Sequence, residues 1–168
     1  VSSSLGLPVV YRTFVVHDSS SVRIGCGIVG NPTTAVATLT AYPDYSGGLS
    51  VDGTIAVTEM LRPSGGIYVF GTLTGLEASV TGAGIHIHRG VSCATTDGPA
   101  GHFYPPMDVD PWLTTPYDST GDGVATVAFD VAQFTLTTGG PVAGRVVVVH
   151  DSSGTRIACG VLESTAGE

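Results

Sequence analysis

Five residues concentrate the chemistry of this chain: His86, His88, His102, His150 and Arg156. The stretch GAGIHIHRG, residues 82–90, alternates isoleucine with imidazole. In a strand, residues two apart face the same side. His86 and His88 should therefore project together, into whatever covers that face, while Ile85 and Ile87 enter a core on the other. His150 ends the run VVVVH, where a strand gives way to a turn, and His102 lies in AGHFYP within a long loop. Imidazole nitrogen suits both copper and zinc. A lone histidine is ordinarily a solvated or hydrogen-bonded surface residue. A His-x-His strand with two more histidines at a strand end and in an adjoining loop points instead to a metal site, and spacing does not choose the metal.

The elements that must position these side chains read as strands. Apolar, β-branched runs recur at 35–43, 49–61, 65–76, 82–90, 123–136, 144–150 and 155–162, separated by Gly- and Pro-rich turns. Many short strands with such turns predict an all-β antiparallel sandwich or barrel with little or no helix. The interval 89–123 has few strand signals, and a loop of that length inside one domain is usually functional.

Composition narrows the function. The 168 residues suit one ordinary domain with an appendage. The net charge is −8, with six arginines and no lysine, which argues against a nucleic-acid partner because phosphate binding needs a basic face. No apolar run is long enough to span a membrane. No leader pattern opens the chain, which reads as an excised or mature segment. Three cysteines, Cys26, Cys93 and Cys159, are an odd count, so one pair can bridge and one thiol is left over. No CxxC occurs, which disfavours a thiolate zinc site.

The chain also repeats itself. PVVYRTFVVHDSSSVRIGCG at 8–27 matches PVAGRVVVVHDSSGTRIACG at 141–160 at a constant offset of 133, with eight identities in the eleven positions from His17 to Gly27. His17 maps onto His150, Arg23 onto Arg156 and Cys26 onto Cys159. A period of about one domain implies that residues 1–30 are the trailing strands of a preceding repeat, or an N-terminal extension, and that residues 31–168 form the domain proper.

The motifs GIHIHRG, CATTDGPAGHFYP, DGVATVAFD and VVVVHDSSGTRIACGVL, in this order across roughly residues 33–163, resemble the core of the copper–zinc superoxide dismutases. The resemblance implies a Greek-key barrel of about eight strands. It implies that His86, His88, His102 and His150 are the copper ligands and that His102 sits where that family bridges copper to zinc. Arg156 matches the arginine that attracts superoxide, Gly84 the glycine before the His-x-His strand, and Cys93 and Cys159 the intrasubunit disulfide. Such a bridge would place the protein in an oxidising, extracellular setting.

Two departures are equally informative. Between His102 and Val124 there is no histidine, so a zinc site of the family's type cannot form. Only DSSGT separates His150 from Arg156, where the zinc enzymes carry a long charged loop. Both losses resemble the copper-only dismutases, and with the 8–27 repeat the likeness is to their extracellular tandem-repeat members. The activity implied is dismutation of superoxide to dioxygen and hydrogen peroxide by copper without zinc. Its partners would be superoxide and neighbouring repeats. His86, His88 and His150 would be constant ligands, and His102 would detach on reduction and carry a proton. Lacking zinc, His102 needs another group on its second nitrogen; the resemblance points to Asp110, which lies nearest the family's zinc aspartate by alignment, with Asp108 and Asp118 as alternatives. Arg89 and Arg156 should make a local positive spot in an acidic surface. His17, Arg23 and Cys26 are orphaned copies. The competing readings are an extracellular copper-binding or buffering module with little turnover, and a structural repeat.

Overall fold

Alternation of apolar and polar side chains builds the strands, and their pairing order then decides what each face meets. The computed structural model describes residues 13–28, 34–60, 65–104, 108–136 and 141–165. They fall into two units divided near residue 32. The first is a hairpin of β1 (Thr13–His17) and β2 (Arg23–Ile28). The second holds β3 (Thr34–Ala41), β4 (Asp52–Glu59), β5 (Gly66–Thr74), β6 (Ala83–His88), β7 (Pro116–Tyr117), β8 (Ala125–Ala132), β9 (Val146–His150), β10 (Arg156–Val161) and β11 (Glu163–Thr165). One 3₁₀ turn, Pro111–Thr114, is the only helical element among the described residues.

Eight strands run in the order β7-β6-β9-β10-β3-β4-β5-β8, all antiparallel, and β7 comes near β8 so that the sheet almost closes. β3, β4 and β5 form a meander. β5 then pairs with β8 rather than with β6, which crosses over to pair with β9. This is a Greek-key connection in an all-β barrel, as predicted. β11 adds to the far end of β3.

The interior is filled by alternate residues: Leu39, Ile55, Val57, Ile67, Val69, Leu73 and Val127 are all buried. Gly71 stands inward on β5 where a Cβ would run into the Thr54 carbonyl oxygen, so β4 and β5 approach there as no larger residue would allow. Phe103, Trp112 and Phe134 add an aromatic cluster, with Trp112 and Phe134 ring centroids 5.1 Å apart.

β9 is buried on both faces. Val147 and Val149 belong to the barrel interior, whereas Val146 and Val148 join Tyr42 and Cys159 in a smaller outer cluster. That burial explains the unbroken valine run. The outer cluster is capped from the long loop through the Cys93–Cys159 disulfide, whose Cα atoms are 6.2 Å apart and 66 residues apart in sequence.

The interval 89–123 is less irregular than its composition predicts, containing both the 3₁₀ turn and the two-residue β7. The turn has a readable signal in Asp110-Pro111, an N-cap followed by proline at the first helical position. β7 has none; it exists because Ala83 and Gly84 pair with Tyr117 and Pro116, and because the Tyr117 hydroxyl donates to the His150 carbonyl at 2.7 Å. No helix among the described residues is long and apolar enough to cross a membrane.

Closing a 66-residue loop stabilises the fold by about 4 kcal/mol in the chain-entropy treatment. Replacing Cys93 and Cys159 together by alanine should lower the urea midpoint accordingly and steepen the transition, because the released chain exposes more surface when unfolded; an unmoved midpoint would show that the loop is held by other contacts.

Candidate metal site

The pairing of β6 with β9 places Ile85 opposite Val149, His86 opposite Val148, Ile87 opposite Val147 and His88 opposite Val146. Ile85 and Ile87 thus enter the barrel core with Val147 and Val149. His86 and His88 lie on the outer face in the row of Val146, Val148 and His150. That face is covered rather than solvated: His88 is 1% exposed and His150 8%.

The fourth imidazole arrives from the loop. Its backbone folds back along the end of β6, where Arg89 donates to the Gly101 carbonyl at 2.8 Å and Phe103 donates to the Ile87 carbonyl at 2.9 Å. His102 and His88 consequently form an isolated bridge. The ring centroids of His102 lie 4.3 Å from His86 and 5.0 Å from His88, and those of His150 lie 4.7 Å from His86 and 5.8 Å from His88. The structure therefore gathers all four sequence-predicted histidines. One nitrogen each from His86, His88 and His102 lie within 4.8 Å of one another, a group able to hold a metal ion.

The nitrogens themselves show what the cluster lacks. His86 Nδ1, His88 Nε2 and His150 Nδ1 are buried with no hydrogen-bond partner. Buried polar atoms are almost always satisfied, and leaving one unpaired costs about 1–3 kcal/mol. Those of His86 and His88 fit a cation that takes their lone pairs, whereas His150 Nδ1 lies beside the Gly84 backbone. For His88 the tautomer follows: Nδ1 faces the Ala100 carbonyl, an acceptor only, at 2.9 Å, so Nδ1 carries the hydrogen and Nε2 the lone pair. Gly84 makes room for the cluster; a Cβ there would stand 2.6 Å from His86 Cε1 and 2.7 Å from its Nε2.

Burial, reinforced by the neighbouring rings, holds His86 at a pKa of about 3. Burial likewise lowers His88 to about 3, with Arg156 adding to the effect and the Ala100 carbonyl opposing it. His150 is lowered to about 4 by burial and then by Arg156. The Gly84 backbone opposes that shift, and His150 Nδ1 lies beside it without a hydrogen bond of normal geometry. These three rings are neutral at pH 7, the form a metal requires.

His102 is held differently. Its Nδ1 is 2.6 Å from Asp110 Oδ2, while Asp110 Oδ1 accepts from the Trp112 backbone N–H at 2.9 Å. Trp112, 1% exposed, donates its indole N–H to the Phe103 carbonyl at 2.6 Å. The carboxylate is thus fixed at both oxygens, and Nε2 is the ring nitrogen left to His102. Of the alternatives, Asp118 accepts instead from the Gly82 N–H at 2.8 Å, and Asp108 is exposed.

Arg156 pairs in register with His150. It donates to the Tyr42 hydroxyl and to the Ala100 carbonyl, both at 2.8 Å, and Tyr42 donates onward to the Thr96 carbonyl at 2.6 Å. Ala100 serves His88 and Arg156 with one carbonyl and adopts φ +60 to do so. Sequence reasoning missed Tyr42, Ala100, Trp112 and Tyr117. Only Trp112 carried a signal, as the single tryptophan, two residues after Asp110. Arg89 is exposed at the end of β6. His17, Arg23 and Cys26 belong to the hairpin unit and are exposed.

No protein-family model matches the chain, and no curated protein matches it in sequence.

Two outcomes are expected. Gly84→Ala should push the His86 ring aside and weaken binding of a divalent metal about tenfold or more, since overpacking costs about 1–3 kcal/mol; unchanged affinity would mean that the ring is free to move. For the metal-free protein, unfolded imidazoles take up protons near pH 6.5, whereas His86, His88 and His150 resist until about pH 3–4. Stability should therefore fall as pH drops from 6.5 to 4.5. A flat urea midpoint over that range would show the rings to be accessible to protons.

Proposed function

We propose that this protein is an extracellular copper-dependent superoxide dismutase that works without zinc. The observation that carries the reading is the set of three buried, unpartnered imidazole nitrogens beside a fourth ring whose second nitrogen is already taken by Asp110. Nitrogen donors suit copper in both of its common oxidation states. His86, His88, His102 and His150 would hold the ion. A bound copper supplies one-electron redox chemistry, by which two superoxide anions and two protons become dioxygen and hydrogen peroxide.

The protein's part is to bind the anion, place protons and keep the rings in position. A guanidinium has five N–H donors. Arg156 spends two on Tyr42 and Ala100, which fix its plane next to His150 and leave donors for a small anion. His102 donates Nδ1–H to Asp110, so a proton taken or released is handled at Nε2 while the carboxylate keeps the ring from turning. A carboxylate thus does for His102 what a second metal does in zinc-containing relatives of this chemistry. The disulfide agrees with an oxidising compartment. Arg156 favours turnover over storage, because a copper buffer has no use for an anion-binding group.

Stopped-flow superoxide decay with the copper-loaded protein tests this. Turnover should be fast, should fall about tenfold or more at low salt in Arg156→Glu, and should fall about ten- to hundredfold in Asp110→Ala, in rate or in copper retention. Tight copper binding without turnover would select a storage module, and neither copper nor turnover a structural repeat.

A further inference from the structure

The hairpin β1–β2 duplicates β9–β10 residue by residue. Thr13, Phe14, Val15, Val16 and His17 pair with Ile28, Gly27, Cys26, Gly25 and Arg23. At the offset of 133 these are the pairs of β9 with β10: Val146 with Val161, Val147 with Gly160, Val148 with Cys159, Val149 with Ala158 and His150 with Arg156. Both ladders carry an irregularity at the histidine end. The turns match as well. Asp18 Oδ1 accepts from the Ser20 and Val22 backbone N–H groups at 2.8 and 2.9 Å, and Asp151 Oδ1 accepts from those of Ser153 and Thr155, both at 2.9 Å.

The surroundings are opposite. Val147, Ile157 and Cys159 are at most 1% exposed, between β6 on one edge and β3 on the other. Their counterparts Phe14 and Ile24 are 64% and 63% exposed, Cys26 is free, and among the described residues β1 and β2 pair only with each other. A lone two-stranded hairpin with apolar side chains on its surface is marginal in water. The copy within the same chain shows what covers such a hairpin.

We propose that β1–β2 is the closing strand pair of a second barrel, and that its occupant is an upstream segment of the same polypeptide patterned like residues 33–140. That segment would contribute equivalents of β3 and β6 to the two free edges, by main-chain pairing. Cys26 would bridge to its counterpart of Cys93. His17 and Arg23 would complete a second cluster in the places of His150 and Arg156. The strand pairing does not depend on the metal; only the second cluster rests on the copper reading.

The test fuses residues 33–140 of a first copy to Pro8 of this chain, which restores a 66-residue spacing between Cys93 of the first copy and Cys26, the spacing of the bridge already present. A control fusion carries residues 141–160 in place of 8–27. In the test fusion Cys26 should resist alkylation, peptide mapping should join it to Cys93 of the first copy, and His17→Ala should remove a ligand from one of two copper sites while leaving that bridge intact. If the control forms both bridges while the test fusion leaves Cys26 alkylated or joined to another Cys26, the proposal is overturned. Two bridges without copper at either site would uphold the strand pairing and remove the copper reading instead.

Discussion

The register between β6 and β9 is the constraint on which the site depends. One residue of slip would turn His86 and His88 into the barrel and Ile85 and Ile87 out of it. The slip is prevented by what lies on the two faces: Ile85 and Ile87 fill the interior with Val147 and Val149, and the outer face is already occupied by the Tyr42–Cys159 cluster. Apolar packing on one side therefore locates imidazoles on the other. The cost is three buried nitrogens without partners, which a well-packed domain carries only where something else satisfies them.

Around that row the rest is support. The Cys93–Cys159 bridge and the main-chain bonds of Arg89 and Phe103 lay the loop across the outer face and bring His102 to it. Asp110 joins the loop's 3₁₀ turn to the ring of His102, and Trp112 anchors that turn to the Phe103 carbonyl. The Ala100 carbonyl ties His88 to Arg156, so the ring that would hold the ion and the charge that would hold the anion share one acceptor. A displacement at any of these points moves more than one group.

The strands and the inward isoleucines were legible because each rests on a local rule, period-two alternation or turn residues; the four histidines rested on the His-x-His spacing and on a motif order that resembles a known family. The absence of histidine after His102 left an imidazole in need of a partner, and Asp110 was legible as that partner only through the family resemblance, by its alignment with a metal-binding aspartate. Ala100 and Tyr42 were not legible. A non-glycine residue at φ +60 and a tyrosine hydroxyl facing an arginine are set by tertiary contacts that no local pattern encodes. β7 failed for the same reason, since two residues carry no periodicity. The repeat at 8–27 was legible as sequence, but only the matching ladders show that it keeps the conformation of β9–β10 without its cover.

Four imidazoles of this chain would converge on a single redox-active ion. Nitrogen-sensitive electron paramagnetic resonance of the protein loaded with one equivalent of copper(II), with X-ray absorption of the same sample before and after reduction, tests this convergence most directly. Four imidazole nitrogens around copper(II), and three around copper(I) as His102 lets go, is the expected result. Fewer than three nitrogens in the oxidised state, or a sulfur in the coordination sphere, would contradict it.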